Sequence, residues 1–332
     1  MLHAAAWLIW LVAGLFVVSM TRNPLYLILV LATFVTTAHV IRRPGETYTA
    51  PLAPGRFACY VIPLAALINA LLSRIGETVL LAIPPTWPLV GGPITAEALV
   101  YGALNGLLLT ALFTAFAVLN LAVPIRDLIR FIPRAFYPVA VVASIAVTFA
   151  PTTLRQMQQI REAQAIRGHR MRRLRDWLPL FMPLLTGGLE RALQLAEAMA
   201  SRGFAAETAQ AHTGRAQAVS IVGLLGILGG GLLTTGQQSF WGPALIVIGS
   251  LAIAAALWLT GRSVPHTTYR RAPWGYREWL VTGGALVALA GFLFWGGATR
   301  AYNPYSVLTW PAFDVLAGTM LLGFLLPALV VE

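Results

Sequence analysis

Between Arg155 and Phe204 a seven-residue pattern occurs twice: Glu162-Ala163-Gln164-Ala165-Ile166-Arg167-Gly168 and, thirty-five residues later, Glu197-Ala198-Met199-Ala200-Ser201-Arg202-Gly203, identical at five of seven positions. The chemistry open to it is electrostatic rather than covalent, because a guanidinium presents a rigid fork of donors that matches a carboxylate or phosphate. Each copy also has the grammar of a helix ending. Alanine favours the helix, a cation suits its last turn, and the following glycine takes the left-handed conformation that closes it. One copy would be an ordinary cap. Two copies with matching upstream residues, in the most basic stretch of an apolar chain, point to a paired docking device, with Ile166, Arg167, Gly168, Ser201, Arg202 and Gly203 as its candidate interface residues.

Two helices must carry these ends. The apolar run from Tyr137 to Ala150 leads into the basic stretch, and a helix from there to Arg167 would cover about 45 Å, with a kink predicted at Pro151. Arg170 to Arg175 turns the chain, Asp176 is placed to cap, and Trp177 to Ser201 reads as the second helix, with Pro183 kinking it. Ahead of both, Arg126, Arg130 and Arg134 at i, i+4 and i+8 share one face opposite Ile125, Leu128, Ile129 and Ile132. That spacing predicts a helix over 124–134 lying along the membrane interface.

The remainder is membrane. Of 332 residues 58% are hydrophobic and 11% charged, against roughly 25% charged in soluble domains, so the predicted class is an all-α, polytopic helical membrane protein. Eight spans are predicted: Ala4–Met20, read as a retained helix rather than a cleaved signal peptide, Leu25–Ile41, Phe57–Ser73, Ala98–Val123, Ala216–Thr235, Trp241–Thr260, Trp279–Ala298 and Phe313–Val331. The segment from Arg74 to Glu97 holds Pro84-Pro85, Trp87-Pro88 and Gly91-Gly92-Pro93, too many breakers for a span, and reads as an external loop or re-entrant segment. Gly102 and Gly106 form a small-xxx-small face for packing. Three regions result: a four-helix membrane part over 1–123, a coupling region over 124–204, and a further membrane part over 205–332.

Several functions lack their residues. Cys59 is the single cysteine, and the five histidines are scattered, so neither a disulfide nor a metal site is predicted. Lysine is absent and no phosphate-binding loop is present, so the chain is read as non-catalytic toward ATP. Asp occurs only at 127, 176 and 314, which leaves out both Asp-rich enzymes and a relay of buried carboxylates. A net charge of +11 follows the positive-inside rule rather than nucleic-acid binding. With the N-terminus inside, twenty of the twenty-three arginines fall in cytoplasmic segments, and only Arg22, Arg74 and Arg300 lie outside.

The paired motifs, with Ile132-Pro133 ahead of the first helix, Pro183-Leu184 opening the second, and Arg191-Ala192 leading to Phe204, resemble the T component of energy-coupling factor transporters, the EcfT/CbiQ family. So does Pro93-Ile94-Thr95-Ala96-Glu97-Ala98-Leu99 before a membrane helix. Ile166 and Ser201 depart from that family's usual Ala before Arg-Gly. The resemblance implies a scaffold in a prokaryotic cell membrane that joins two ATP-binding cassette ATPases to a membrane S component for uptake of a vitamin or metal ion. It further implies an X-shaped helix pair in the cytoplasm and no cofactor in this chain, since ATP and Mg are bound by the ATPases. The last three predicted spans exceed that family's five-span minimum. The alternative is a permease carrying its own substrate, for which Asn69, Asn105 and Asn120 are the most notable polar groups in the spans and read more simply as interhelical glue.

Overall fold

A computed structural model describes residues 2–42, 53–83, 92–168, 177–204, 213–235, 241–262, 274–305 and 309–331. The chain forms two compact units, one from residues 1–124 with 270–332 and one from residues 125–269. Residues 205–332 are therefore divided between them.

The first unit holds α1 (Ala4–Met20), α2 (Pro24–Ile41), α3 (Pro54–Leu72), the strands β1 (Val79–Ile83) and β2 (Gly92–Thr95), and α4 (Ala96–Ala122). Its core closes on aromatic rings. Trp10 of α1 lies 4.9 Å from the Phe34 ring of α2 and 6.0 Å from the ring of Phe324, and all three are fully buried. The turn between α1 and α2 is pinned twice, because Asn23 caps α2 through Leu25 N (3.0 Å) while its amide donates to the carbonyls of Thr299 (2.9 Å) and Ala312 (2.6 Å). Gly102 and Gly106 serve packing, since a Cβ on Gly102 would lie 2.5 Å from the Ala65 carbonyl of α3.

Two expectations change here. The breaker-rich stretch contains a hairpin, with β1 antiparallel to β2 and β2 running directly into α4; its residues 84–91 lie outside the described set. The hairpin is tied to α4 by Glu97, whose buried carboxylate accepts from Thr78 N (3.0 Å) and Thr78 Oγ1 (2.5 Å). After α10 (Tyr276–Trp295), the span predicted from Phe313 to Val331 is broken into α11 (Val315–Leu321), a 3-10 turn (Leu322–Leu325) and α12 (Leu326–Val331). Pro327 lacks an N–H and its ring crowds the carbonyl four residues back, at Gly323, so the helix tightens there. The carbonyl of Phe324 takes tertiary donors, Trp10 Nε1 at 3.1 Å and Thr37 Oγ1 at 3.5 Å. Non-helical backbone at membrane depth survives only when satisfied by protein in this way.

The second unit holds α5 (Ile125–Ile129), a 3-10 turn (Arg134–Phe136), α6 (Tyr137–Ile166), α7 (Leu178–Ser201), α8 (Thr213–Thr235) and α9 (Trp241–Arg262). The predicted interfacial helix over 124–134 is not formed. Its helix stops at Ile129 and turns, because Pro133 biases the preceding residue away from helix. Arg126, Arg130 and Arg134 therefore do not share a helical face, and Arg130 pairs with Asp127 at 3.5 Å. Helices α8 and α9 approach through glycines: a Cβ on Gly249 would lie 2.5 Å from the Gly223 carbonyl.

Among the described residues six helical segments are long and apolar enough to cross a membrane: 24–41, 54–72, 96–122, 134–166, 241–261 and 276–295. Three more, 4–20, 218–234 and 315–330, are apolar but shorter. Among these six is α6, which the sequence assigns to the coupling region. Contacts within the first unit also group its helix ends. Arg22 N donates to the Arg300 carbonyl at 3.0 Å, and Ser73 lies 3.2 Å from the Tyr305 hydroxyl, so the three arginines expected on one side fall at one end. At the opposite end of α1, His3 N donates to Glu278 Oε1 at 3.2 Å.

Candidate functional site

Both Arg-Gly motifs end their helices in the same way. Arg167 (φ −77°, ψ 6°) caps α6 and Arg202 (φ −90°, ψ 6°) caps α7, each followed by a left-handed glycine, Gly168 at φ 80° and Gly203 at φ 77°. After α7 the closure is a full Schellman motif: Gly203 N donates to Ala200 O (3.0 Å) and Phe204 N to Met199 O (3.1 Å). After α6 the matching bond runs from Gly168 N to Ala165 O (3.0 Å), and His169 lies outside the described residues. A Cβ on either glycine would meet nothing within 4 Å. Glycine is required for its positive φ, not for space, and an alanine at each would cost about 1 kcal/mol.

These caps leave the side chains pointing away from the chain. Arg167 and Arg202 are exposed, and among the described residues neither guanidinium has an ion pair or hydrogen bond. Ile166 is 88% exposed, and Ser201 returns its hydroxyl to the Ala198 carbonyl at 3.0 Å. So four of the six candidate residues form two free tips of arginine and glycine, Ile166 presents an exposed apolar side chain beside the first, and Ser201 is spent on its own helix.

The positioning comes from an antiparallel pairing. Tyr137 at the start of α6 lies 6.2 Å, ring to ring, from Phe204 just past α7, while further along α6 the Gln156 side chain accepts a hydrogen bond from Arg191. Arg191 Nε also donates to the Gly187 carbonyl at 3.0 Å, and a Cβ on Gly187 would lie 2.7 Å from Gln156 Nε2, so a larger residue there would displace the Gln156 amide from the clamp. The Gln156–Arg191 clamp has no local signal in the sequence, and only the pairing of distant segments reveals it. One consequence is geometric: Arg202 sits beside the start of α6 and Arg167 at its end, about 40–45 Å apart at the helical rise.

The pair is otherwise unclothed. No residue of α6 is buried, and Leu180 is the one buried residue of α7. A groove of about 440 Å³ runs between them, walled by Ile145, Phe149, Ala192, Leu195 and Met199 and leading toward the Arg202 cap. Such a surface offers a place to bind, and among the described residues no group of His, Cys, Asp or Glu could hold a metal. Residues Arg170 to Arg175, predicted to turn the chain, lie outside the described set.

Residues 2–213 match the CbiQ family, described as cobalt transport protein. The chain is similar to the energy-coupling factor transporter transmembrane protein EcfT of Leuconostoc gelidum subsp. gasicomitatum, 32% identical over 151 residues, or 42% of this chain and 56% of that protein. It is 28% identical to EcfT of Bacillus selenitireducens over 202 residues (56% of this chain, 72% of that one). With EcfT 1 of Listeria monocytogenes serotype 1/2a it shares 27% identity over 133 residues (34% and 49%). The chain thus spans about half the length of two of these three relatives. The family match contains both Arg-Gly tips and stops before most of α8, so α9 to α12 fall beyond it.

Proposed function

This chain belongs to the CbiQ family of cobalt transport proteins, and from that premise we propose that it is the transmembrane scaffold of an energy-coupling factor importer, joining two cytoplasmic ATP-binding cassette ATPases to a substrate-binding S component. Its work is mechanical. Arg167 and Arg202 each reach an acidic site on one ATPase, and the left-handed Gly168 and Gly203 end the helices so that nothing of this chain stands between arginine and partner. When ATP closes the ATPase pair, the two tips are drawn together, and the α6–α7 pair transmits that motion to the S component. The transported vitamin or metal ion is recognised by the S component, and ATP and Mg stay with the ATPases.

The observation that carries this reading is the matched pair of free arginine tips at opposite ends of one antiparallel helix pair. Two tips about 40–45 Å apart cannot serve one small ligand but suit two separate protein domains. A permease carrying its own substrate would need free polar groups along its spans. Two of the three asparagines in the spans are committed, Asn69 to the Ala98 carbonyl (2.6 Å) and the Tyr305 hydroxyl (3.2 Å) and Asn120 to the carbonyl one turn before it (3.2 Å), which leaves Asn105 alone for such a role.

The test is the double variant Arg167→Ala/Arg202→Ala, read as ATPase retention on the solubilised complex and as ATP-driven uptake in vesicles. Losing one desolvated ion pair costs roughly 2–5 kcal/mol, tens- to thousands-fold in affinity, so the double variant is expected to release the ATPases while the membrane fold survives. Wild-type retention and uptake in that variant would reduce the tips to helix caps. Orientation is tested separately: in a Cys59→Ser background an impermeant thiol reagent applied outside is expected to label Thr86→Cys and spare Thr267→Cys.

A further inference from the structure

Within the second unit the 3-10 turn Arg134–Phe136 packs on the C-terminal end of α9, and a groove of about 590 Å³ is lined there by Pro133, Arg134, Ala254, Leu257, Trp258 and Gly261. The contact is close: a Cβ on Gly261 would lie 3.1 Å from the Cβ of Arg134, so a larger residue would press on the arginine's stem and fill the groove's mouth. The apolar segment 241–261 ends at this contact, so the groove lies where α9 leaves the bilayer and opens at headgroup depth.

Its chemistry has two parts. Toward water stands one exposed guanidinium, and toward the bilayer the wall is apolar, with Trp258 57% exposed at the helix end, where indoles favour the membrane interface. No carboxylate nearby in sequence answers Arg134. Asp127 is the one acidic residue in 98–161 and is already 3.5 Å from Arg130, and α9 carries none. From Gly261 back to Ala254 the groove follows α9 for about 10 Å at the helical rise, enough to seat the upper part of an acyl chain.

We propose that this groove is a binding site for an anionic phospholipid. The phosphate sits on the Arg134 guanidinium, the glycerol region against Trp258 and Gly261, and one acyl chain along Leu257 and Ala254. A basic residue at the bilayer surface attracts an anionic headgroup, whereas a zwitterionic lipid brings its own cation to oppose it. Free phosphate would satisfy the arginine and leave the apolar wall uncovered. The inference concerns α9, which lies beyond the residues matched by the family, and it does not depend on the ATPase reading.

The experiment is native mass spectrometry of the full chain, delipidated in detergent and titrated with phosphatidylglycerol or phosphatidylcholine. Phosphatidylglycerol is expected to be retained about fivefold over phosphatidylcholine, the ratio that one surface cation supplies. Arg134→Gln should bring the ratio to near one, and Gly261→Leu should lose the lipid with the arginine still in place. Arg134→Lys should keep most of the preference, and Arg130→Gln, whose charge is engaged by Asp127, should keep all of it. Equal retention of the two lipids by the wild-type chain overturns the proposal, and that measurement stands even if a variant fails to fold. Wild-type retention of phosphatidylglycerol in both Arg134→Gln and Gly261→Leu overturns it too. Displacement of the lipid by inorganic phosphate at equal concentration would make the site one for free anions and overturn the lipid assignment.

Discussion

The first unit and the α6–α7 pair place their apolar side chains in opposite ways. In the first unit large side chains vanish into the protein: Trp10, Tyr26, Phe34, Phe292 and Phe324 are fully buried, and Asn23, Tyr26 and Glu97 satisfy backbone groups from distant segments. In the pair no residue of α6 is buried, and the leucines of α7 at 185, 189 and 193 face outward. A surface that apolar is completed by lipid or by another protein. The first unit therefore carries its stability in its own contacts, whereas the pair has contributions left to make on assembly.

The largest expected effect lies on the buried side of that comparison. Trp10→Ala removes a ring packed on Phe34 and Phe324 and takes from the Phe324 carbonyl its shorter donor, leaving Thr37 Oγ1 at 3.5 Å. A loss of about 3–5 kcal/mol is expected, the range for large aromatic truncations in a core. Thermal unfolding in detergent should show it as a large fall in Tm. Little change would mean that the aromatic cluster does not hold this unit together.

Next comes the cap of α2. Asn23→Ala removes one cap bond and two tertiary bonds to the Thr299 and Ala312 carbonyls. Loss of the cap alone is worth about 1 kcal/mol, and the stranded carbonyls raise the total to roughly 2–3 kcal/mol. Limited proteolysis should then cut near residues 299–312 sooner than in the wild type. An unchanged cleavage rate would mean that the C-terminal segment is held without Asn23.

What could be read in the sequence follows the same division. Local rules found the helix ends. Ala-rich runs followed by Arg-Gly placed α6 and α7 within a residue of their observed ends and assigned left-handed glycines that the backbone has. Spans with continuous apolar runs were equally legible. Non-local structure was not. Val79 to Ile83 has strand chemistry, yet the prolines and glycines that follow it dominate the local signal, and only pairing with Gly92 to Thr95 makes it a strand. The break at Leu322–Leu325 had a local sign in Pro327, but the partners that stabilise it, Trp10 and Thr37, lie some three hundred residues away. The same holds for the Gln156–Arg191 clamp. Two short motifs marked the tips, while nothing local marked the crossing that spaces them.

A smaller effect tests the tips without touching charge. Gly168→Ala and Gly203→Ala force a left-handed conformation on a residue with a Cβ, at about 1 kcal/mol each, with open space around both. In the isolated chain such a cost should shift Tm by a few degrees or less. In the assembled complex Gly203→Ala should weaken ATPase retention by more than the helix-end cost alone, because Arg202 is aimed by that closure. Equal effects in both settings would leave the glycines with a capping role only.

The smallest effect in the isolated chain is the most informative about the unclothed pair. Leu189 of α7 is 64% exposed, so Leu189→Ala removes little protein contact and should change stability in detergent by less than about 0.5 kcal/mol, as exposed substitutions do. If a protein partner covers α7 in the assembly, the same substitution becomes a buried truncation there and should cost about 2 kcal/mol or more. That is a loss of complex affinity of about thirtyfold. Comparing one substitution in the two settings separates lipid from protein as the cover, because a lipid-facing leucine gives a small effect in both. A large loss in the isolated chain would contradict the exposed placement of α7 and return the pair to the class of ordinary packed helices.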